Sequence, residues 1–398
     1  MLKRKKVLQV SPAYFPAISI GGPIFTNLTF SQALVDIGYD IEVLTTTQGL
    51  KKEQIQQFNI GKVSHDEFPY PIWRFHYYGY PNYTFAPGLL FWLFQHVKKF
   101  DLVVFQAVWN FPIMAAYWAC KYYNIPYVII PHGSLYDETF HLKSSKVKKL
   151  FLKIYVENML KRARKIIFST RDEEIKVKKF LSLPITSAIL PNIVNTDQFK
   201  TLPIKGNFRT KYSINLEAII LCHYGRVTVK KGINFVIQIL PSLIKKYPHI
   251  KYVIAGGEED NYISELKNMI NHLQLEDHVI FAGLLNPQEG MELLVDSQVF
   301  LLPSLSENFG MSVVEAMLCE TPVIISEQVG IALELVESNA AYIIQLGNDS
   351  LENAVLELLG NPDIQVNMGK AGRKFVQEHY EFDAVKNQLK EIISGSML

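Results

Sequence analysis

Ten short runs of aliphatic and β-branched residues, separated by longer amphipathic stretches, constrain this chain more than any other feature. The first five are KVLQV, DIEVLTT, DLVVFQ, YVIIPH and KIIFST; the second five are AIILCHYG, KYVIAG, HVIFAG, VFLLPS and PVIIS. Strands that are apolar along their whole length, rather than on alternate residues, are buried on both faces. The intervening helices supply the cover, which predicts an α/β architecture built on parallel sheets. Two such sets predict two doubly wound units in tandem, and 398 residues are enough for two cores.

The seam between the units falls in LPNIVNTDQFKTLPIKGN, where Pro, Asn and Gly concentrate and neither a strand nor a helix period survives. This divides the chain into residues 1–195 and 196–379. The helical pattern at about 380–398 is a candidate to pack back on the first domain. In open α/β sheets ligands bind beyond the carboxyl ends of the strands, so the residues just after each strand carry the functional reading.

A formal net charge of +2 excludes a general polyanion binder, and no nucleic-acid motif accompanies the local basic runs. Cys120, Cys222 and Cys319 lie far apart in apolar surroundings, which reads as small buried hydrophobes in a reducing compartment. The basic start MLKRKKVLQVSPAYFP offers only VLQV before Ser11 and Pro12, too short for a secretory signal. The lipophilic run LLFWLF is too short to span a bilayer. The expectation is a cytoplasmic protein.

Five strand ends carry chemistry. Gly21 and Gly22 precede a helix and let backbone approach a phosphate, although glycine pairs are also common in ordinary loops. His132 in IIPHGSL either faces the crevice or satisfies a loop carbonyl. In HYGRVTVKKG, Arg226 and Lys231 flank a short loop; a planar fork of donors and a point charge suit a diphosphate, while the alternative is a solvated cationic loop. Leu284 follows the strand that ends at Gly283 in FAGLL. In LLPSLSENFGMSVVEAM, Glu307 lies in the loop ahead of a helix and Glu315 a turn inside it. These two read either as a ligand clamp or as ordinary charges meeting a helix dipole and solvent.

Together the motifs resemble the family-4 retaining glycosyltransferases of the GT-B fold, two Rossmann-like doubly wound domains facing across a crevice. The resemblance runs over essentially the whole chain and is carried best by GRVTVKKG and SENFGMSVVEAM. Some positions depart from the common pattern: Gln106 stands where histidine is frequent, VGIALELV lacks a second glycine near Gly330, and Ile193 and Asn195 replace the usual Gly and Asp.

The resemblance implies a sugar transferred from a nucleotide diphosphate. Arg226 and Lys231 would hold the diphosphate, and Gly21 and Gly22 would close on phosphate or acceptor. Glu307, with the backbone of Asn308, Phe309, Gly310 and Met311, would contact the sugar. Glu315 would bind the ribose diol, Leu284 would lie near the base, and His132 would hydrogen-bond the sugar near the reacting carbon. No D-x-D occurs, and the acidic runs RDEE (171–174) and EED (258–260) read as solvated faces, so the expectation is no metal and no cofactor beyond the nucleotide sugar.

The expected activity is retaining transfer of a glucose- or N-acetylglucosamine-type sugar from a UDP-sugar to a glycan or lipid-linked acceptor in polysaccharide or glycolipid synthesis. The alternatives are a non-catalytic glycan-binding or scaffold protein and a nucleotide-sugar epimerase. From His141 to Lys165 nine Lys/Arg residues meet a single acid, Glu157. Lys143–Lys165 therefore either lies on anionic lipid at the inner face of the plasma membrane or forms a solvated cationic face.

Overall fold

The computed structural model describes residues 4–58, 61–64, 68–81, 83–137, 149–258 and 261–397. They fall into two compact units, Met1–Asn195 with Phe382–Leu398, and Thr196–Glu381.

The first unit holds β1 (Lys6–Val10), β2 (Asp40–Thr46), β3 (Gly61–Ser64), β4 (Pro71–Phe75), β5 (Leu102–Gln106), β6 (Tyr127–Ile130), β7 (Lys165–Phe168) and β8 (Ser187–Ile189). They form one sheet in the order β3-β4-β2-β1-β5-β6-β7-β8, parallel throughout except that β3 runs antiparallel to β4. Helix α1 (Gly22–Asp36) follows β1, and α2 (Arg171–Leu181) follows β7.

Alternate residues of the central strands feed opposite cores. Leu8, Val10, Val103 and Phe105 join one cluster, while Val7, Leu102 and Val104 join the other. This two-sided burial is why these strands read as near-continuous apolar runs. The C-terminal helix Phe382–Ser396 belongs to this unit: Val385, Leu389, Ile392 and Ile393 enter the second cluster. Its Gln388 Nε2 donates to the Ile189 carbonyl at 2.7 Å.

The second unit contains β9 (Ile219–Tyr224), β10 (Ile250–Ala255), β11 (Val279–Gly283), β12 (Val299–Leu302), β13 (Val323–Ser326) and β14 (Tyr342–Ile344). All neighbours are parallel, in the order β11-β10-β9-β12-β13-β14. Helix α3 (Ile233–Lys246) lays Ile233, Val236, Ile237, Leu240 and Leu243 on the sheet, a 3.6-residue stripe. Helix α4 (Met311–Leu318) follows β12. The chain runs outward from β9 through β10 and β11, then returns to β12 on the other side of β9. The order reverses between β9 and β12, and that reversal leaves a crevice at their carboxyl ends.

All three cysteines are free and buried. Among the described residues no helix is long and apolar enough to cross a membrane.

Candidate active site

In the second unit, the loops after β9 and β12 are fastened to each other at the switch point. Gly232 (φ 68°) opens α3, and a Cβ there would lie 1.9 Å from the Pro303 carbonyl oxygen. Only glycine permits that approach. The Ser304 hydroxyl and the Leu305 N–H each donate to the Lys230 carbonyl at 2.7 Å. This backbone contact brings Lys231 Nζ onto Glu307 Oε2 as an ion pair, with the side chains 14% and 20% exposed.

Glu307 is held from its other side as well. Its N–H donates to the Gln328 carbonyl at 3.1 Å, and its carbonyl accepts from the Gly330 N–H at 2.8 Å. A Cβ at Gly330 would stand 1.8 Å from the Asn308 carbonyl oxygen, so the segment Glu307–Asn308 runs directly against the glycine backbone. Phe309 turns its ring into the core, with its centroid 5.1 Å from that of Tyr380, and leaves only its backbone at the loop. Gly310 (φ 98°) then caps α4, so the positive end of that helix's dipole, beginning at Met311, meets the loop carrying Glu307.

Glu315 lies in the second turn of α4, half-buried, and its carboxyl makes no hydrogen bond or ion pair among the described residues. Burial pushes its pKa up to about 7. It lies close enough to Tyr224 and Cys319 for its charge to add to the upward shift that burial already imposes on both. Tyr224 is backed by Gly290, where a Cβ would come within 2.6 Å of the ring.

Leu284 is 82% exposed beyond β11, with its Cδ1 4.0 Å from the position a Gly257 Cβ would take. Gly257 in turn accepts from the Val227 N–H at 2.9 Å, so Leu284 borders the loop that carries the exposed Arg226. Beneath that loop His223 is fully buried; burial first, and the Lys231 charge second, hold its pKa down at about 4. Among the described residues no three His, Cys, Asp or Glu side chains gather as a metal site.

The first unit carries the remaining candidates. Gly21 (φ 94°) caps α1, and the space around a Cβ on Gly22 is open to 4 Å. Buried polar contacts fix α1 against β1: Gln9 Nε2 donates to the Asn27 carbonyl at 3.1 Å, and Ser31 Oγ to Gln9 Oε1 at 2.9 Å. His132 follows β6 with φ 50°, and its Nε2 donates to Gln106 Oε1, at the end of β5, across 2.7 Å. Burial lowers its pKa to about 4, so the imidazole is neutral at physiological pH.

The reading of RDEE as a solvated face is corrected here. Asp172 is 8% exposed and Glu173 0%. Thr170 Oγ1 caps α2 by accepting from the Glu173 N–H at 3.1 Å, and the Glu173 carboxylate turns inward. It accepts from the Gly133 N–H at 2.6 Å, the Ser169 N–H at 2.9 Å and the Ser169 hydroxyl at 3.0 Å. Of EED, Glu258 is exposed and accepts from the Ile263 N–H at 2.8 Å, while 259 and 260 lie outside the described residues.

Two family models match, end to end along most of the chain: Glycosyltransferase Family 4 over residues 20–198 and Glycosyl transferases group 1 over residues 205–375. The chain belongs to the group 1 glycosyltransferases. This glycosyltransferase is 25% identical to an uncharacterized glycosyltransferase of Methanocaldococcus jannaschii, over 98% of each chain. It is 26% identical to a GDP-mannose-dependent alpha-(1-6)-phosphatidylinositol monomannoside mannosyltransferase of Mycolicibacterium smegmatis, over 52% of this chain and 56% of that one. Among solved structures it is similar to Anabaena HepE in complex with UDP and glucose, with TM-score 0.77 and 20% identity over 98% and 100% of the two chains. Its two parallel-sheet α/β domains have the GT-B fold.

Proposed function

We propose that this glycosyltransferase moves a glucose- or N-acetylglucosamine-type sugar from a UDP-sugar to a glycan or lipid-linked acceptor with retention at the anomeric carbon. The observation that carries the reading is the cradle at the β9/β12 switch point. There a cation and a carboxylate are locked together by backbone contact, and a second, half-buried carboxylate has no partner among the described residues.

The residue types match the parts of such a donor. Lys231 and Arg226 offer a point charge and a fork to the diphosphate, helped by the N-terminus of α4. In the free protein Glu307 neutralises Lys231; when the donor enters, the ammonium turns to phosphate and the carboxylate to sugar hydroxyls. Glu315 accepts from the ribose diol, which supplies the two donors its buried carboxyl lacks. Leu284 lies against the base, Gly21 and Gly22 meet phosphate or acceptor, and neutral His132 hydrogen-bonds the sugar.

Breaking the bond from the anomeric carbon to phosphate oxygen leaves its electron pair on the diphosphate, where fixed positive charge stabilises it. The acceptor oxygen adds to the same face of that carbon, and its proton passes to the departing phosphate oxygen. Glu307 and Glu315 both serve ligand hydroxyls in this scheme. A glycoside hydrolase instead sets two carboxylates about 5–9.5 Å apart across the scissile bond. No metal is assigned a role, because Lys231, Arg226 and the helix end provide the charge.

Uridine is preferred over guanosine because likeness to the UDP-bound neighbour extends over both whole chains, whereas the GDP-mannose-dependent relative matches over about half. That relative is named for a phosphatidylinositol monomannoside, a glycolipid, which supports a lipid-linked acceptor here. In the basic segment Leu150 and Ile154 are each 56% exposed among exposed Lys149 and Lys153, a face fit to rest on anionic lipid. Residues 143–148 of that segment lie outside the described residues.

The test is transfer from UDP-glucose, UDP-N-acetylglucosamine and GDP-mannose to diacylglycerol and sugar acceptors, with the product anomer read by NMR. An α-linked product from a UDP-sugar is expected. A β-linked product refutes retention, transfer only from GDP-mannose refutes the donor, and free epimerised sugar points to the epimerase alternative.

A further inference from the structure

Glu173 is a fully buried carboxylate that the proposed chemistry leaves unused, and its surroundings are specific. Taking a carboxylate out of water costs several kcal/mol unless hydrogen bonds replace the lost hydration. Here three donors offset part of that loss: the Gly133 N–H, the Ser169 N–H and the Ser169 hydroxyl. Those donors belong to the ends of two neighbouring strands, β6 and β7, so one side chain ties two strand-end loops together.

The tie falls where the backbone needs it. His132 (φ 50°) and Gly133 (φ 72°) are consecutive left-handed residues, and a non-glycine residue adopts that conformation only when its surroundings impose it. Glu173 accepts the N–H of the second of the pair, while Gln106 accepts from the ring of the first. Together they fix both the backbone turn and the imidazole, leaving Nδ1 as the acceptor nitrogen. Removing the carboxylate would leave the buried Gly133 and Ser169 N–H groups without their acceptor.

We infer that Glu173 is a positioning residue for His132, acting through the Gly133 N–H to set the imidazole against the transferred sugar. The inference rests on the reading of His132 as a sugar-contacting group. It is separated from that reading by a double-mutant cycle on UDP release from UDP-glucose at saturating donor and acceptor, with donor affinity measured in parallel by calorimetry.

The expected result is that Glu173→Gln lowers kcat at least tenfold with donor affinity unchanged within twofold. His132→Ala gives a similar loss, and the double variant is no worse than His132→Ala alone. Gln keeps one acceptor oxygen but sets an NH2 against a donor; Glu173→Asp, which keeps both oxygens, recovers part of the turnover. Should Glu173→Gln fail to fold, Ser169→Ala removes one donor and is expected to show a smaller loss, likewise absent in the His132→Ala background. Multiplying losses, or full turnover in Glu173→Gln beside an impaired His132→Ala, overturns the inference alone. Full turnover in His132→Ala overturns the assignment of His132 and this inference with it.

Discussion

Lys231 and Glu307, separated by 76 residues in sequence, form an ion pair across two strand-end loops that meet at Gly232 and Pro303. The pair is shielded enough to be ordered yet accessible enough for a ligand to insert. Its net contribution to stability is modest, on the order of 1 kcal/mol, since desolvation offsets much of the Coulomb attraction. Its expected importance lies in binding.

Lys231→Ala removes a charge-assisted contact worth about 1.5–3 kcal/mol, so UDP affinity is expected to fall about 10- to 100-fold. Thermal stability is expected to change little. Calorimetry and a thermal melt on the same variant check this; an unchanged Kd contradicts the phosphate role.

Glu315 gives a pH dependence with a definite sign. Its pKa in the free protein is about 7, and two ribose hydroxyls favour the ionised form, so donor binding releases a proton below that value. UDP-glucose, which has no phosphate ionisation near neutrality, is expected to bind about tenfold more tightly at pH 8 than at pH 6. Glu315→Gln is expected to bind weakly and without that slope. A slope retained in the variant assigns the proton to another group.

Gly232→Ala places a methyl group against the Pro303 carbonyl and imposes a left-handed φ on alanine. The cost expected from strain of this kind is about 1–3 kcal/mol, with displacement of Lys231 from Glu307. A denaturant titration and UDP binding report the two effects. Loss of binding at a temperature where the variant stays folded is the expected outcome.

Chelation tests the source of positive charge. With Lys231, Arg226 and the α4 N-terminus stabilising the leaving diphosphate, turnover is expected to survive dialysis against EDTA. Loss of turnover that returns with Mg2+ or Mn2+ contradicts it.

How far the sequence carried depends on what each element needed. The central strands were legible because both faces are buried, so Val103, Val104 and Phe300 sit among unbroken apolar neighbours. β3, β4, β8 and β14 were not: PIWRF mixes a proline with Arg74, and SAI is only half-buried. Lys231, Glu307 and Glu315 were legible as residue types at strand ends, but the Lys231–Glu307 contact was not, because it depends on Gly232 and Gly330 admitting foreign backbone.

Glu173 was misread because four charged residues in a row look solvated. Its burial is set by a loop 40 residues away that supplies the Gly133 N–H. One local signal was present: Thr170 followed three residues later by glutamate is a helix-start pattern. In the usual form that glutamate bonds back to the cap residue; here it accepts from Ser169 and Gly133 instead.

The most direct measurement is a calorimetric titration of the wild-type protein and of Lys231→Ala, Glu307→Ala and Glu315→Ala with UDP, UDP-glucose, GDP and ADP. Expected are wild-type binding of UDP and UDP-glucose in preference to GDP and ADP, weaker binding of both uridine ligands by the Lys231 and Glu315 variants, and a Glu307 variant impaired for UDP-glucose but not for UDP. Absence of binding by any nucleotide, or binding that all three substitutions leave unchanged, would contradict the assignment of the cradle as the donor site.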